Sequence, residues 1–178
     1  MRPADANETA VAWKVALERT DGPVALSLSR QAVPTLDRSE VAHASGLARG
    51  AYTLWESGSP DLILIGTGTE VGLALEAGRR IAGENGTNVR VVSMPCWELF
   101  ELQEADYRDE VLPPDVRARI SVEPGVALGW KQWVGDHGDS ISIDRFGASA
   151  PGTTVLERLG YNVDNVVARA TALLERVA

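Results

Sequence analysis

Leu62-Ile63-Leu64-Ile65 is the segment that most restricts what this chain can become. Four consecutive apolar residues without polar alternation suit a strand buried on both faces, as strands are inside a parallel sheet. Gly58-Ser59-Pro60-Asp61 turns the chain into it. From Thr69 to about Gly83 the residues Val71, Ala74, Leu75, Gly78, Ile81 and Ala82 recur at helical spacing, Glu84-Asn85-Gly86 makes a turn, and Val89-Arg90-Val91-Val92-Ser93-Met94 is the next strand. Leu62 to Met94 is therefore a strand-helix-strand unit, with parallel pairing and a right-handed crossover.

The flanking sequence extends this unit. Gly50-Ala51-Tyr52-Thr53-Leu54-Trp55 predicts an edge strand, Arg119-Ile120-Ser121-Val122-Glu123 a third buried strand and Ser140-Ile141-Ser142-Ile143 a fourth, short one. Glu98 to Gln103 predicts a short helix, Asp106 to Arg108 a turn, and Val126 to Val134 a helix carrying Trp130 and Trp133. The final helix is marked by Val163, Val166, Val167, Ala170, Leu173, Leu174 and Val177, and it should lie on the sheet. The expected fold is α/β, three layers with a mostly parallel sheet covered on both faces.

The first 49 residues read differently. Asp5 can accept from first-turn N–H groups and Glu8 completes a capping-box pattern, opening a helix to about Arg19. Val11, Ala12, Trp13, Val15, Ala16 and Leu17 cover more than one face of it, as in a helix packed inside a larger domain. Asp21-Gly22-Pro23 ends the helix, and Val24 to Ser29 predicts a strand delivering Arg30 at its C-terminal end. A helix and a strand cannot bury a core of their own, so this piece must dock on the rest of the chain, dimerise or stay loose. From Val33 to about Arg49 the sequence turns irregular, with Pro34, a Ser/His/Ala stretch and Gly46, which reads as a linker, and the domain boundary is placed near residue 48.

At 178 residues the chain suits one good domain plus a smaller piece. Its net charge of −8 and scattered basic residues give no electrostatic footprint for nucleic acid. No apolar run approaches the roughly 20 residues of a membrane helix and the N-terminus has no signal-peptide hydrophobic region, so no membrane association is expected and the cytoplasm is the default. Cys96 is the only cysteine, which rules out an internal disulfide and a Cys-based metal site; His43 and His137 are isolated, without metal-ligand spacing. No Gly-x-Ser-x-Gly elbow is present.

Gly66-Thr67-Gly68-Thr69-Glu70 lies between a buried strand and a helix, where doubly wound proteins hold phosphates. A dinucleotide pattern would need a third glycine where Val71 stands, and Thr67 with Glu70 fits a capping box, so the cap is the favoured reading. Arg30 has a guanidinium fork that matches phosphate oxygens, although a strand-end arginine by itself is an ordinary surface charge. Asp144 and Arg145 can close on a substrate or fix their loop through caps and ion pairs, and the second is favoured. Trp97, Trp130 and Trp133 read as core or interface aromatics, and Glu98, Glu101 and Glu104 as one solvated helix face.

Ile143-Asp144-Arg145-Phe146-Gly147-Ala148-Ser149-Ala150-Pro151-Gly152 joins a strand end, a charged pair, one aromatic, a run of small residues and a Pro-Gly entry into a helix that Thr154 and Glu157 can cap. This order resembles the closing segment of transketolases. The resemblance extends to Arg2-Pro3-Ala4-Asp5-Ala6-Asn7-Glu8, Leu28-Ser29-Arg30-Gln31, Gly66-Thr67-Gly68-Thr69-Glu70-Val71 and Val92-Ser93-Met94-Pro95-Cys96-Trp97-Glu98-Leu99-Phe100, nearly the whole chain. It is closer than the resemblance to deoxyxylulose-phosphate synthases or 2-oxo acid dehydrogenase beta subunits.

The resemblance implies the end of the pyrimidine-binding domain (1–35), a linker (36–49) and the transketolase C-terminal domain (50–178). It implies transfer of a two-carbon ketol unit between sugar phosphates of the pentose phosphate pathway by a homodimer, with thiamine diphosphate and Mg (or Ca) in the full-length enzyme. The cofactor and metal motifs of the family are missing here, so no catalytic, cofactor or metal residue is expected in this segment and the chain alone should be inactive. Arg30 matches the family's sugar-phosphate-binding arginine. The alternative is a stand-alone αβα binding or interaction module without catalysis.

Overall fold

The run Leu62–Ile65 does become a strand closed to solvent on both faces. The computed structural model describes residues 1–177, and among them five strands form one sheet: β1 (Tyr52–Glu56), β2 (Leu62–Gly66), β3 (Val89–Ser93), β4 (Ala118–Val122) and β5 (Asp139–Ile141), in the order β1-β3-β2-β4-β5. β2 pairs parallel with β3 and β4, and β4 with β5, while β1 alone runs antiparallel on the edge of β3. Every residue of β2 is buried because it has strands on both edges and helices on both faces.

The helices are α1 (Ala6–Glu18), α2 (Glu70–Asn85), α3 (Trp97–Glu101), α4 (Ala105–Val111), α5 (Lys131–Val134), α6 (Gly152–Arg158) and α7 (Val163–Val177), with a 3-10 helix at Ala44–Arg49. The two-residue period of β2 sorts its side chains. Leu62 and Leu64 enter the core under α2 and α7, with Val71, Ala74, Ile81, Val166, Ala170 and Leu173, whereas Ile63 and Ile65 enter the core of the opposite face, with Phe100, Trp130 and Trp133. The α/β layering with a mostly parallel sheet is thus as the apolar pattern implies.

Several expectations need correction. Val24 to Ser29 joins no sheet ladder among the described residues; it is extended and its backbone is held at Met1, whose nitrogen donates to Ala25 O (2.8 Å) and whose carbonyl accepts from Ser27 N (2.9 Å). A strand needs a partner edge, and the edges of this sheet belong to β1 and β5. The turn at Asp106 grows into the seven-residue α4, because Tyr107 and Val111 reach the core and the Tyr107 hydroxyl donates to Ala51 O (2.8 Å). The helix expected from Val126 shrinks to Lys131–Val134. Thr154 and Glu157 lie inside α6 instead of capping it, its N-cap being Pro151.

The start of α1 is closer to expectation. Glu8 N donates to Asp5 Oδ1 (2.8 Å), and Glu8 Oε2 accepts from Ala4 N (2.7 Å), one residue earlier than the usual reciprocal cap. Glu8 is also fully buried, where a capping glutamate is ordinarily solvated, since its Oε1 accepts from Tyr52 Oη of β1 and Ser93 Oγ of β3, each at 2.7 Å. Asp5 takes a bidentate pair from Arg38 (2.9 Å to each oxygen) and the amide of Leu36 (3.0 Å). The N-terminal piece therefore docks on the rest of the chain, through a polar network at the sheet's edge.

Candidate functional site

Arg30 stands at the apex of a small turn closed by the Ser29 hydroxyl, which accepts from Gln31 N at 3.1 Å. Its side chain is exposed and, among the described residues, makes no ion pair and no hydrogen bond. The turn is held from both sides. On the upstream side the backbone is pinned to Met1 at Ala25 and Ser27. On the other, Gln31 lies beside Gly152, where an added Cβ would sit 3.5 Å from Gln31 Nε2. The end of the 143–152 segment thus meets the Arg30 turn in ordinary van der Waals contact, a relation sequence spacing does not reveal.

Beneath this turn is a cleft of about 160 Å3 lined by Ser27, Ser29, Arg2, Gly68, Glu70 and Pro124. Its floor is the carboxyl end of the parallel sheet. The connections diverge there, because β2 leads to β3 on one side while β4 lies on the other, the switch point at which open α/β sheets hold ligands. Arg2 fills it. Its amide donates to Pro95 O (2.8 Å), its carbonyl accepts from Gly68 N (3.0 Å), and its guanidinium bridges Glu70 (3.4 Å) and Glu123. Glu123 also accepts from Trp130 Nε1 at 2.6 Å.

The Gly66–Glu70 turn is accordingly neither of the two readings offered for it. The N-cap of α2 is Thr69, not Thr67, and no side chain caps it. The Gly68 amide that would meet a phosphate is taken by Arg2, and a carboxylate stands beside it. Burial pushes the Glu70 carboxyl above the usual range, against the opposing pull of the Thr69 hydroxyl and the Arg2 charge. The pairing of Arg2 with Glu70 and Glu123 is invisible to sequence reasoning; the only hint is that Glu123 ends a buried strand.

Other candidates fall into structural places. Asp144 accepts from Ala127 N (3.0 Å) and Ser142 Oγ (2.9 Å) and so pins its loop, whereas Arg145 makes no ion pair among the described residues and Phe146 is 97% exposed. Trp97 meets Trp130 edge to face with centroids 4.9 Å apart. Cys96 heads α3, its thiol pushed up by burial and donating to Glu98 Oε2 (3.2 Å). His43 caps the 3-10 helix by accepting from Ser45 N (3.2 Å). Among the described residues no group of three or more His, Cys, Asp or Glu is placed to hold a metal ion, and no helix is long and apolar enough to cross a membrane.

Comparison with known proteins gives this geometry its context. Residues 50–162 match the family described as "Transketolase-like TK C-terminal domain". The chain is 52% identical over 176 residues to the transketolase of Geobacillus stearothermophilus, an alignment covering 98% of this chain and 26% of that protein. The solved transketolase of Leishmania mexicana matches it with a TM-score of 0.90 at 37% identity, covering 99% of this chain and 25% of that one. A transketolase of Pichia stipitis in complex with sedoheptulose-7-phosphate matches with a TM-score of 0.89 at 34% identity, over 98% of this chain and 25% of that one. The chain thus spans about a quarter of the length of the curated relatives it matches. Carrying the C-terminal domain of these enzymes over residues 50–162, the chain belongs to the transketolase family.

Proposed function

We propose that the chain serves as the C-terminal part of a transketolase, in which Arg30 binds the phosphate of the sugar substrate and the remaining residues pack domains and subunits together. In this reading residues 1–35 complete the pyrimidine-binding domain, 36–49 link, and 50–178 form the C-terminal domain of a cytoplasmic homodimer. Thiamine diphosphate with Mg (or Ca) supplies the carbanion chemistry of ketol transfer when bound. The glycine turn ahead of α2 does not fit a diphosphate: its Gly68 amide is taken by Arg2 and Glu70 stands beside it. Holding the cofactor therefore falls to the rest of the protein, and the chain by itself should not turn over substrate.

The observation that carries the reading is the state of Arg30, a guanidinium at the apex of a pinned turn, solvent-facing and unpaired among the described residues. Two parallel N–H groups of such a fork can grip phosphate oxygens, and charge-assisted bonds of this kind contribute about 1.5–3 kcal/mol. Arg30→Ala in the complete enzyme is therefore expected to raise KM for a phosphorylated ketose about 10–100-fold. KM for a non-phosphorylated ketose should not move, and Arg30→Lys should fall between, since an ammonium keeps the charge without the fork. Equal losses on both substrates would remove Arg30 from the phosphate site.

A further inference from the structure

Two carboxylates from the C-terminal domain hold a guanidinium from the preceding piece at the sheet's switch point, and the same short stretch of chain holds the turn that presents Arg30. We propose that Glu70 and Glu123 are positioning residues for Arg30: by clamping Arg2 they fix Met1, and through Met1 the register of the backbone that ends at Arg30. The inference rests on the reading of Arg30 as the phosphate ligand.

The anchors form a connected series. Arg2 is gripped at its amide, its carbonyl and its guanidinium, by Pro95, Gly68, Glu70 and Glu123, which follow β3, β2 and β4. Such a residue has little freedom of translation relative to the sheet. Met1 is one peptide away and bonds both Ala25 O and Ser27 N, the pattern of a single parallel bridge, so it sets where that segment lies along its own direction. Three residues after Ser27 comes Arg30, and the turn that carries it is closed by Ser29. Ser27 and Ser29 also line the cleft together with Arg2 and Glu70. Among the described residues no other ladder supports residues 24–29, so within this chain the Met1 bridge is the backbone connection that fixes them.

Glu70 and Glu123 are suited to the task for different reasons. The Glu70 side chain is 6% exposed, so its charge is costly unless Arg2 is present, and the pair is mutually dependent. Glu123 is steadied by Trp130, whose indole N–H donates to its other oxygen, so its carboxylate is aimed before Arg2 arrives. Both carboxylates are engaged with Arg2, and the proposal gives them no contact with the phosphate itself.

The test uses Glu70→Gln together with Glu123→Gln, which keep shape and lose charge, in two settings. In the 178-residue chain, amide hydrogen exchange is expected to quicken at least tenfold at Gly68, bonded to Arg2, and at Ser27, bonded to Met1, while Leu64, Val91 and Ile120 keep their protection. In the complete holoenzyme, KM for a phosphorylated ketose is expected to rise several-fold, with kcat and the KM for a non-phosphorylated ketose unchanged. Faster exchange at Gly68 with Ser27 unchanged would overturn the proposal, as would equal loss on both substrates. Arg30→Ala separates the two readings. If it raises KM for the phosphorylated ketose and the double variant does not, the clamp fails alone; if Arg30→Ala itself has no phosphate effect, the reading of Arg30 has failed.

Discussion

Glu8→Ala is expected to lower the unfolding free energy by about 3–5 kcal/mol, because it removes the acceptor that three buried donors share. Ala4 N, Tyr52 Oη and Ser93 Oγ each lie 2.7 Å from its carboxylate, Ser93 is fully buried and Tyr52 is 4% exposed. For a chain of this size the fall corresponds to roughly 10 °C in Tm. The loss should be concentrated at the docking of α1, so the amides of residues 6–18 should lose exchange protection before those of β2. Glu8→Gln tests the charge. Burial raises the Glu8 carboxyl above its ordinary value of 4.5, with the nearby Asp5 adding to the rise and the three donors opposing it. A folded value above the unfolded one gives stability that is fully present below about pH 4.5 and declines as pH rises through the folded value. Glutamine has no such decline, so the stability difference between Glu8→Gln and the natural chain should move in favour of glutamine between pH 4.5 and 7, as measured by urea midpoints. A constant difference would mean that Glu8 is not buried as a titrating carboxyl.

How much of this was legible in the sequence depends on whether a residue's role is local or shared. α2 and α7 declare themselves because each buries a face whose period its own residues carry, and β2 because an unbroken apolar run suits burial on both faces. The strand expected at Val24 to Ser29 has the right composition, but strands are completed by partners, and here the backbone meets only Met1. α4 fails in the other direction: its single apolar stripe is too short to show a period, and it is stabilised by contacts to Ala51 and to Arg49, whose guanidinium lies 3.9 Å from the Tyr107 ring centroid.

The same division holds at the site. Asp5 and Glu8 are readable as a cap because a cap is a short-range pattern, yet the burial of Glu8 under Tyr52 and Ser93, 44 and 85 positions away, is not. Arg30 could be singled out only through resemblance, since one arginine after an apolar run has no spacing to distinguish it. Arg2, Glu70 and Glu123 are brought together by the divergence of β3 and β4 from β2, a property of topology that no window of sequence contains.

Gly50→Ala should be as damaging as the loss of Glu8, for a steric reason. Gly50 closes the 3-10 helix with φ of +87°, in the region where a Cβ crowds the backbone. The space is also closed: a Cβ there would lie 2.5 Å from Cys96 O and closer still to Phe100 N. Both are backbone atoms of the first turn of α3, so no side-chain rotation relieves the collision, and the Cys96 N to Gly50 O hydrogen bond of 3.0 Å must break or α3 must move. Adding the left-handed penalty to the overpacking gives a cost of about 3–5 kcal/mol. Phe100 and Trp97 would shift with α3, so the near-ultraviolet circular dichroism of the Trp97–Trp130–Trp133 cluster should weaken along with the urea midpoint. Gly83→Ala is the matched control, because it lies in α2 with no atom within 4 Å of the added carbon. There the substitution should stabilise by about 0.5–1 kcal/mol through helix propensity alone. If both variants shifted the midpoint by similar amounts in the same direction, the close approach of Gly50 to α3 would be wrong, and with it the placement of the 3-10 helix beside α3.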